Sequence, residues 1–313
     1  MKAKVVLGTV LLVLVPAMAF GSTKPFEKVG TLSAQFLKIG ISARAVGMGS
    51  AFTAAADDAT SLYWNPAGLV EVERTAVTLN SVLWPADIDI YFAGAVFTTP
   101  YLPGTFGLSA RALTMDPQEE RTIYNPLGTK RYFDAGDMSF GLSYAMYFTD
   151  RFSSGVTVHF IHMGLADKSV ESTSFDFGLL YRIGFRGMKL GMMIQSLGSE
   201  VNFDDRASKL PTVFRVGLCT DVYRKGPHIF LASAEFVHPA DNKERANVGG
   251  EYSFNQFLFL RAGYNIEYDT QGLAWGVGFN IDTSQTSDIG FDYAWEDLGY
   301  LGSAHRITLN FSY

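Results

Sequence analysis

From about residue 74 to the end, the chain alternates between large apolar side chains and small or polar ones with a period of two. That alternation is the signature of strands with two unlike faces, because successive side chains on a strand point to opposite sides. In residues 137–148, Met138, Phe140, Leu142, Tyr144, Met146 and Phe148 fall on one face, and Asp137, Ser139, Gly141, Ser143 and Ala145 on the other. The division recurs in Leu273, Trp275, Val277, Phe279 and Ile281 against Ala274, Gly276, Gly278, Asn280 and Asp282. It recurs again in Ile289, Phe291, Tyr293 and Trp295, and in the final Ile307, Leu309, Phe311 and Tyr313. About 14 such segments follow one another, near 74–82, 89–99, 105–114, 137–148, 152–163, 173–184, 187–197, 211–222, 228–238, 246–254, 257–267, 272–281, 287–296 and 304–313. The segment at 228–238 is ambiguous in its facing, and the first two are weak.

Alternation alone also fits a soluble sandwich or a propeller, and the connections decide between them. The odd-numbered links are mostly long, as around residues 115–136, 164–172 and 198–210, whereas even-numbered links such as "TDR", "FR", "NQ" and "YRKGP" are short. A transmembrane barrel needs that asymmetry, with short turns on one side of the membrane and longer loops on the other. An even strand number closes the wall with both of its ends on one side, and closure leaves no unpaired edge in lipid. Aromatic residues near strand ends, among them Tyr144, Tyr147, Phe148, Tyr181, Tyr264, Tyr268, Trp275, Tyr293 and Trp295, suit interfacial girdles. The expected fold is therefore all-β, a 14-stranded antiparallel transmembrane β-barrel over 74–313, with a short helical N-terminal plug in its lumen.

The start of the chain fits export. Lys2 and Lys4 precede an apolar run from Val5 to Val15, then Pro16 and Ala17-Met18-Ala19. This is the order of a secretory signal peptide over 1–19, and the run is too short to span a bilayer as a helix. No later stretch has the length of apolar sequence a membrane helix needs. A single cysteine, Cys219, permits no internal disulfide, and a net charge of −6 argues against a nucleic-acid partner.

Residues 20–73 do not alternate. They are rich in Gly, Ala and Ser and cannot make lipid-facing strands, but they can form a compact plug whose small residues allow close approach to a wall. Asp58 is placed to cap a short helix over residues 59–64. Asn65, preceding Pro66, is pushed out of helical conformation and ends it. Asn65-Pro66-Ala67-Gly68 has the residue preferences of a type I turn that delivers the chain into the first strand.

The run Arg44-Ala-Val-Gly47-Met-Gly49-Ser-Ala-Phe, then Asp57-Asp58, then Leu62-Tyr-Trp-Asn65-Pro66-Ala67-Gly68-Leu69, closely resembles the N-terminal signature of the PorV/PorQ family, part of the wider FadL-like group of outer-membrane proteins. The motif covers about 35 residues. The resemblance implies a 14-stranded outer-membrane barrel with an N-terminal hatch in the lumen and both ends of the barrel wall in the periplasm. The ending "HRITLNFSY", with Phe311 and Tyr313, looks like the last-strand signal read by the barrel-assembly machinery.

Paired acids could serve acid–base chemistry or a metal, but neither His nor Cys lies near Asp57 and Asp58 in sequence, so a cap and a lumenal ion pair with Arg44 are the better reading. His159 and His162, three apart on a strand, face opposite sides and cannot share a metal. "GMGSAF" lacks the spacing of a dinucleotide loop, and no G-x-S-x-G marks a nucleophile. No enzyme activity and no cofactor are expected. Asp176, Arg182, Arg215, Arg261, Glu267, Asp292 and Arg306 are expected to line a polar lumen.

Two functions remain open, with a barrel that is mainly a scaffold for its neighbours as a third. The PorV/PorQ resemblance implies protein export of the type IX kind, with secreted proteins or other secretion components docking on the long loops at 115–136 and 198–210. The FadL-like resemblance implies passage of hydrophobic small molecules, held in the lumen and leaving sideways through a gap in the wall, for example around Pro100 to Gly107. Outer-membrane lipid is a partner under either reading, and no individual ligand contact can be nominated.

Overall fold

A computed structural model describes residues 30–98, 103–203, 206–284 and 287–313. The expected signal segment 1–19 lies outside them. Fourteen strands close into one antiparallel barrel: β1 Ala76–Trp84, β2 Ile88–Thr98, β3 Thr105–Met115, β4 Ala135–Thr149, β5 Phe152–Leu165, β6 Lys168–Arg182, β7 Lys189–Gly198, β8 Val213–Lys225, β9 His228–Pro239, β10 Arg245–Phe254, β11 Leu258–Ile266, β12 Leu273–Ser284, β13 Ser287–Asp297 and β14 Ser303–Ser312. Each pairs with its sequence neighbours, and β1 pairs with β14 from Ala76↔Ser312 to Leu83↔His305. Among the described residues no helix is long and apolar enough to cross a membrane.

The alternation sorts the side chains as the wall requires. Leu79, Tyr91, Leu108, Phe140, Leu142, Phe177, Leu260, Phe279 and Phe291 stand on the outside, while Arg111, Asp176, Arg215, Glu235, Glu251, Arg261, Asp292 and Arg306 are buried inside. An apolar exterior around a charged interior is the inverse of a soluble protein and the surface that lipid demands. β9, ambiguous in the sequence, resolves with Phe230 and Phe236 outward and Ser233, Glu235 and Val237 inward.

Two links are long. Residues 116–134 carry a small hairpin pairing Gln118–Glu119 with Tyr132–Phe133, and residues 199–212 carry another pairing Val201–Phe203 with Arg206–Ser208. Both rise from the end of the barrel opposite its wall termini. The link expected around 164–172 is not long: β5 and β6 stay paired up to Leu165↔Lys168 and turn at residues 166–167, with Ala166 at φ 54°. Its polar residues belong to strands that extend past the apolar band.

Among the described residues, the wall is also continuous beside the place where a gap was expected. β2 and β3 pair without interruption from Ile88↔Met115 to Thr98↔Thr105, and Gly107 faces inward with Leu62 of the plug against it. Pro100 lies outside the described residues.

The N-terminal segment enters the lumen from the long-loop end. Ser33 donates its backbone N–H to Lys209 O (3.0 Å), and Ser208 Oγ donates to Thr31 O (3.1 Å). The chain then descends through a 3₁₀ turn Gln35–Lys38, a short helix α1 Ala43–Gly47, a second short helix α2 Ser61–Trp64 and a 3₁₀ helix Pro66–Glu71. At the short-turn end it passes into β1, where Tyr313 N–H donates to Thr75 O (2.8 Å) and joins the two ends of the wall.

Candidate functional site

The lumen has two unlike parts. Toward the short-turn end, the plug is held by ions and backbone hydrogen bonds. Arg44 Nη1 contacts Asp57 Oδ1 (2.6 Å) and Asp58 Oδ2 (2.8 Å), while its Nε contacts Glu251 Oε2 (2.9 Å) on the wall. Arg261 reaches the same Glu251 oxygen (2.6 Å) and also Asp292 (2.5 Å). Two arginines are thus shared among four carboxylates: Glu251 and Asp292 are buried and each has an arginine against it, while the partly exposed Asp57 and Asp58 keep contact with solvent. Higher on the wall, toward the long-loop ends of β8 and β9, Glu235 accepts from the backbone N–H groups of Phe52 (3.1 Å) and Thr53 (2.9 Å) and pairs with Arg215 (3.0 Å). Arg215 in turn lies over the Trp64 ring.

Asp57 and Asp58 are therefore salt-bridge partners of Arg44, and among the described residues no group of three His, Cys, Asp or Glu side chains is placed to hold a metal ion. Asp58 Oδ1 accepts from the backbone and hydroxyl of Thr60, closing a turn ahead of α2, whose cap residue is Thr60. The helix is accordingly shorter than the sequence suggests, starting at Ser61. Asn65 is extended, its Oδ1 accepts from Ala67 N (3.1 Å), and Gly68 N closes on Asn65 O (2.9 Å). The Asn65–Gly68 turn continues into the 3₁₀ helix from Pro66 instead of stopping, because Asn65 caps it and Pro66 already has the required φ. Asn65 Nδ2 donates to Thr53 O (2.8 Å) and to Leu179 O on the wall (3.2 Å). Ala67 O accepts from Ser153 Oγ on β5 (3.0 Å).

Gly47 and Gly49 lie where plug and wall touch backbone to backbone. Gly49 has φ +62°, and a Cβ there would meet Tyr264 N at 2.7 Å; a Cβ on Gly263 of the wall would collide with Gly49 N. Only a pair of glycines allows that approach.

Toward the long-loop end, the lumen is apolar on the side of β3, β5 and β6, whereas Arg306 and Glu296 (2.9 Å) keep the opposite side ionic. Ala34, Phe36 and Leu37 pack against Ile161 and Met163 of β5 and Val201 and Leu210 of the long link, with Leu113 and Val170 beside them. The segment here is tied at few points. Arg111 Nη1 and Nη2 donate to Leu37 O (3.2 Å) and Ile39 O (2.5 Å), and its guanidinium lies over the rings of Phe36 and Tyr63. Lys38 Nζ bonds Asp241 (2.6 Å) in the loop at 240–244, with Gln35 donating to the same oxygen (3.1 Å). Burial pushes the Asp241 carboxyl up, but hydrogen bonds and charge from Lys38, with Gln35, outweigh it and hold it below the usual carboxylate range.

Next to the apolar cluster lies a cavity of about 20 Å³, enough for one water, with Leu37, Leu62, Tyr63 and Phe92 on its apolar side. Arg111, Ser139, His159, Asp176, Gln195 and Ser196 are among its lining residues. His159 Nε2 meets Asp176 Oδ2 (2.9 Å), and Asp176 Oδ1 accepts from Ser196 N (2.7 Å). That last bond depends on a bulge in β7, where the register jumps from Phe175↔Leu197 to Phe177↔Ile194 and Ser196 adopts φ 58°. His162 sits on the other face beside Glu171 (3.8 Å).

Of the expected lumenal charges, Asp176, Arg215, Arg261, Asp292 and Arg306 are inside. Arg182 is at the short-turn rim, paired with Glu71 (2.6 Å), and Glu267 is exposed in the loop after β11. Tyr268 does not join the outer girdle: its ring lies 4.4 Å from the Arg245 guanidinium. Cys219 is buried, its thiol donating to Ala54 O (3.3 Å). Phe311 and Tyr313 face outward at the seam with β1. Glu235, Glu251 and Arg111, which do most to fix the plug, were not among the residues nominated from sequence. Their only signal was a charge at an inward position of an alternating strand.

Neither a family model nor a curated protein sequence matches the chain. Solved structures do. A FadL homologue of Pseudomonas aeruginosa superposes with a TM-score of 0.58 at 11% identity, covering 88% of this chain and 98% of that one. The toluene transporter TbuX of Ralstonia pickettii gives 0.60 at 14% identity, with 86% and 96% covered, and the toluene transporter TodX of Pseudomonas putida 0.57 at 11%, with 85% and 96%. Such identities speak for the fold alone: the chain has the 14-stranded antiparallel barrel fold of FadL-like outer-membrane proteins, with its own N-terminal segment filling the lumen.

Proposed function

We propose that this barrel sits in the outer membrane and admits hydrophobic small molecules from its long-loop side. The observation that carries the proposal is the apolar chamber bounded by Leu113, Ile161, Met163, Val170, Val201 and Leu210. A barrel built only as a scaffold would have no reason to turn one side of its inner wall oily at the long-loop end, since lumenal positions are ordinarily polar. Phe36 and Leu37 fill the chamber in this state, so an apolar guest enters by replacing them. The similarity in fold to toluene transporters agrees with this reading. The test is a titration of the purified barrel with the fluorescent apolar probe 1-N-phenylnaphthylamine. Saturable binding is expected, lost in Ile161→Asp while the protein keeps the heat-modifiable gel mobility of a folded barrel; an unsaturable response in the native protein would end the reading.

A second reading, protein export of the PorV/PorQ kind, is favoured by one feature. Ile123, Tyr124 and Leu127 stand almost fully exposed on the long link at 116–134, an apolar tip suited to a protein partner. Under this reading, secreted proteins co-purify with the barrel from a type IX-competent cell through their C-terminal domains. Recovery of no cargo there, or equal recovery with Tyr124→Ser and Leu127→Ser, would exclude it.

A further inference from the structure

We propose that the short-turn rim carries a binding site for an anionic phospholipid headgroup on one sector of the barrel. Three consecutive short turns, at residues 150–151, 183–188 and 226–227, lie side by side around this rim. Backbone hydrogen bonds tie the first turn to the end of β6, Arg182 N to Arg151 O (2.8 Å), and the second to β8 ahead of the third turn, Asp221 N to Arg186 O (3.0 Å). On and beside these turns the chain sets Arg151, Arg182, Arg186, Lys189, Arg224 and Lys225. Internal acids account for half of the cations. Glu71 takes Arg182 (2.6 Å) and Lys189 (3.2 Å), and Asp221 takes Arg224 (2.6 Å). Arg151, Arg186 and Lys225 remain exposed, with no side-chain ion-pair partner among the described residues. Asp150 and Glu73 are the exposed acids nearby, which leaves the sector positive.

The chemistry of the occupant follows from depth. Phe148, Tyr181, Phe185 and Tyr223 point outward from the same strand ends and turns, with the Arg186 guanidinium lying 5.5 Å from the Phe185 ring centre. Exposed aromatic rings at a strand end mark the level where hydrocarbon gives way to headgroups. Cations held at that level meet phosphodiesters, and each is worth about 1 kcal/mol of attraction to an anionic surface, or about fivefold in affinity. Elsewhere the rim is different: β12 and β13 bring Asp282 and Asp288 together, and the turn at 255–257 has no charge. The cations are thus gathered, not spread around the circumference. The site is independent of what the lumen carries.

The experiment is native mass spectrometry of the full-length barrel released from micelles doped with equal amounts of phosphatidylglycerol and phosphatidylcholine. The native protein should retain phosphatidylglycerol at least about tenfold in preference. Arg151→Gln, Arg186→Gln and Lys225→Gln should each lower that preference by about fivefold, Arg186→Lys should restore most of it, and Lys130→Gln at the other end of the barrel should change nothing. Heat-modifiable mobility checks the fold of each variant. An unchanged preference in the triple variant would overturn the proposal, as would an equal loss in Lys130→Gln. Displacement of the lipid by millimolar inorganic phosphate would show a site for a free anion instead of a headgroup, and would also overturn it.

Discussion

Two parts of the lumen, the ionic network around Arg44 and the apolar cluster under the long links, are built by opposite means. Toward the short-turn end, Arg44 and Arg261 are shared among Asp57, Asp58, Glu251 and Asp292 in one network, and higher on the wall Glu235 adds two backbone bonds. Under the long links, Phe36 and Leu37 rest on aliphatic side chains, tied by Arg111 and Lys38. Ionic networks are directional and unforgiving, since a partner removed leaves a buried charge exposed to no solvent. Apolar contacts are non-directional, so one apolar group can replace another at little cost. The difference assigns the anchor to one part and the exchangeable contact to the other.

The largest effect should come from breaking the anchor. Glu251→Ala strips three charge-assisted hydrogen bonds from Arg44 and Arg261, which keep Asp57, Asp58 and Asp292, and a loss of about 3 kcal/mol is expected. Urea titration followed by tryptophan emission checks it, since Trp64 is fully buried in the plug. Leu37→Ala in the apolar cluster should cost roughly 2 kcal/mol and, unlike Glu251→Ala, tighten the binding of an apolar probe by enlarging the chamber. Should both variants weaken probe binding alike, the division into anchor and exchangeable contact is wrong. Asp58→Ala removes the acceptor of Thr60 N–H at the turn before α2, and about 1 kcal/mol is expected from the same titration.

The smallest effect is pH-dependent. Because Asp241 is held below the usual carboxylate range in the folded state, its pairing with Lys38 contributes stability that is present above the unfolded carboxyl pKa of about 4 and is lost as pH falls through the lower folded value. Acidification below about pH 4 should therefore loosen the segment around Lys38, and Asp241→Asn should remove that step. Limited proteolysis with an acid-active protease across this range, comparing the two proteins, provides the check.

Much of the wall was legible in the sequence. Strand number and facing followed from alternation wherever one face was bulky, and β9 stayed ambiguous because Ala232, Ser233 and Ala234 are small on both faces. The link between β5 and β6 was misjudged because strands that leave the lipid band lose their apolar face and look like loop. Arg182 and Glu267 were assigned to the lumen by parity, but parity does not say where the lumen ends. In the plug, the stretch around Asp57, Asp58 and Asn65 stood out by composition, and Arg44 was recognisable as a partner for the acids. Its wall partner, Glu251, lies 207 residues from Arg44 and had no local signal.

By itself the sequence determined a closed, antiparallel, lipid-facing wall of about 14 strands and a small-residue segment unfit to join it. The reason is local: period two and the chemistry of each face are properties of neighbouring residues. Only the tertiary structure decided that this segment enters from the long-loop end, which wall charges it meets, and that one side of the long-loop end is apolar while the rest of the lumen is ionic. Those contacts join residues far apart in the chain, and an inward position specifies a side of the sheet without specifying what stands opposite it.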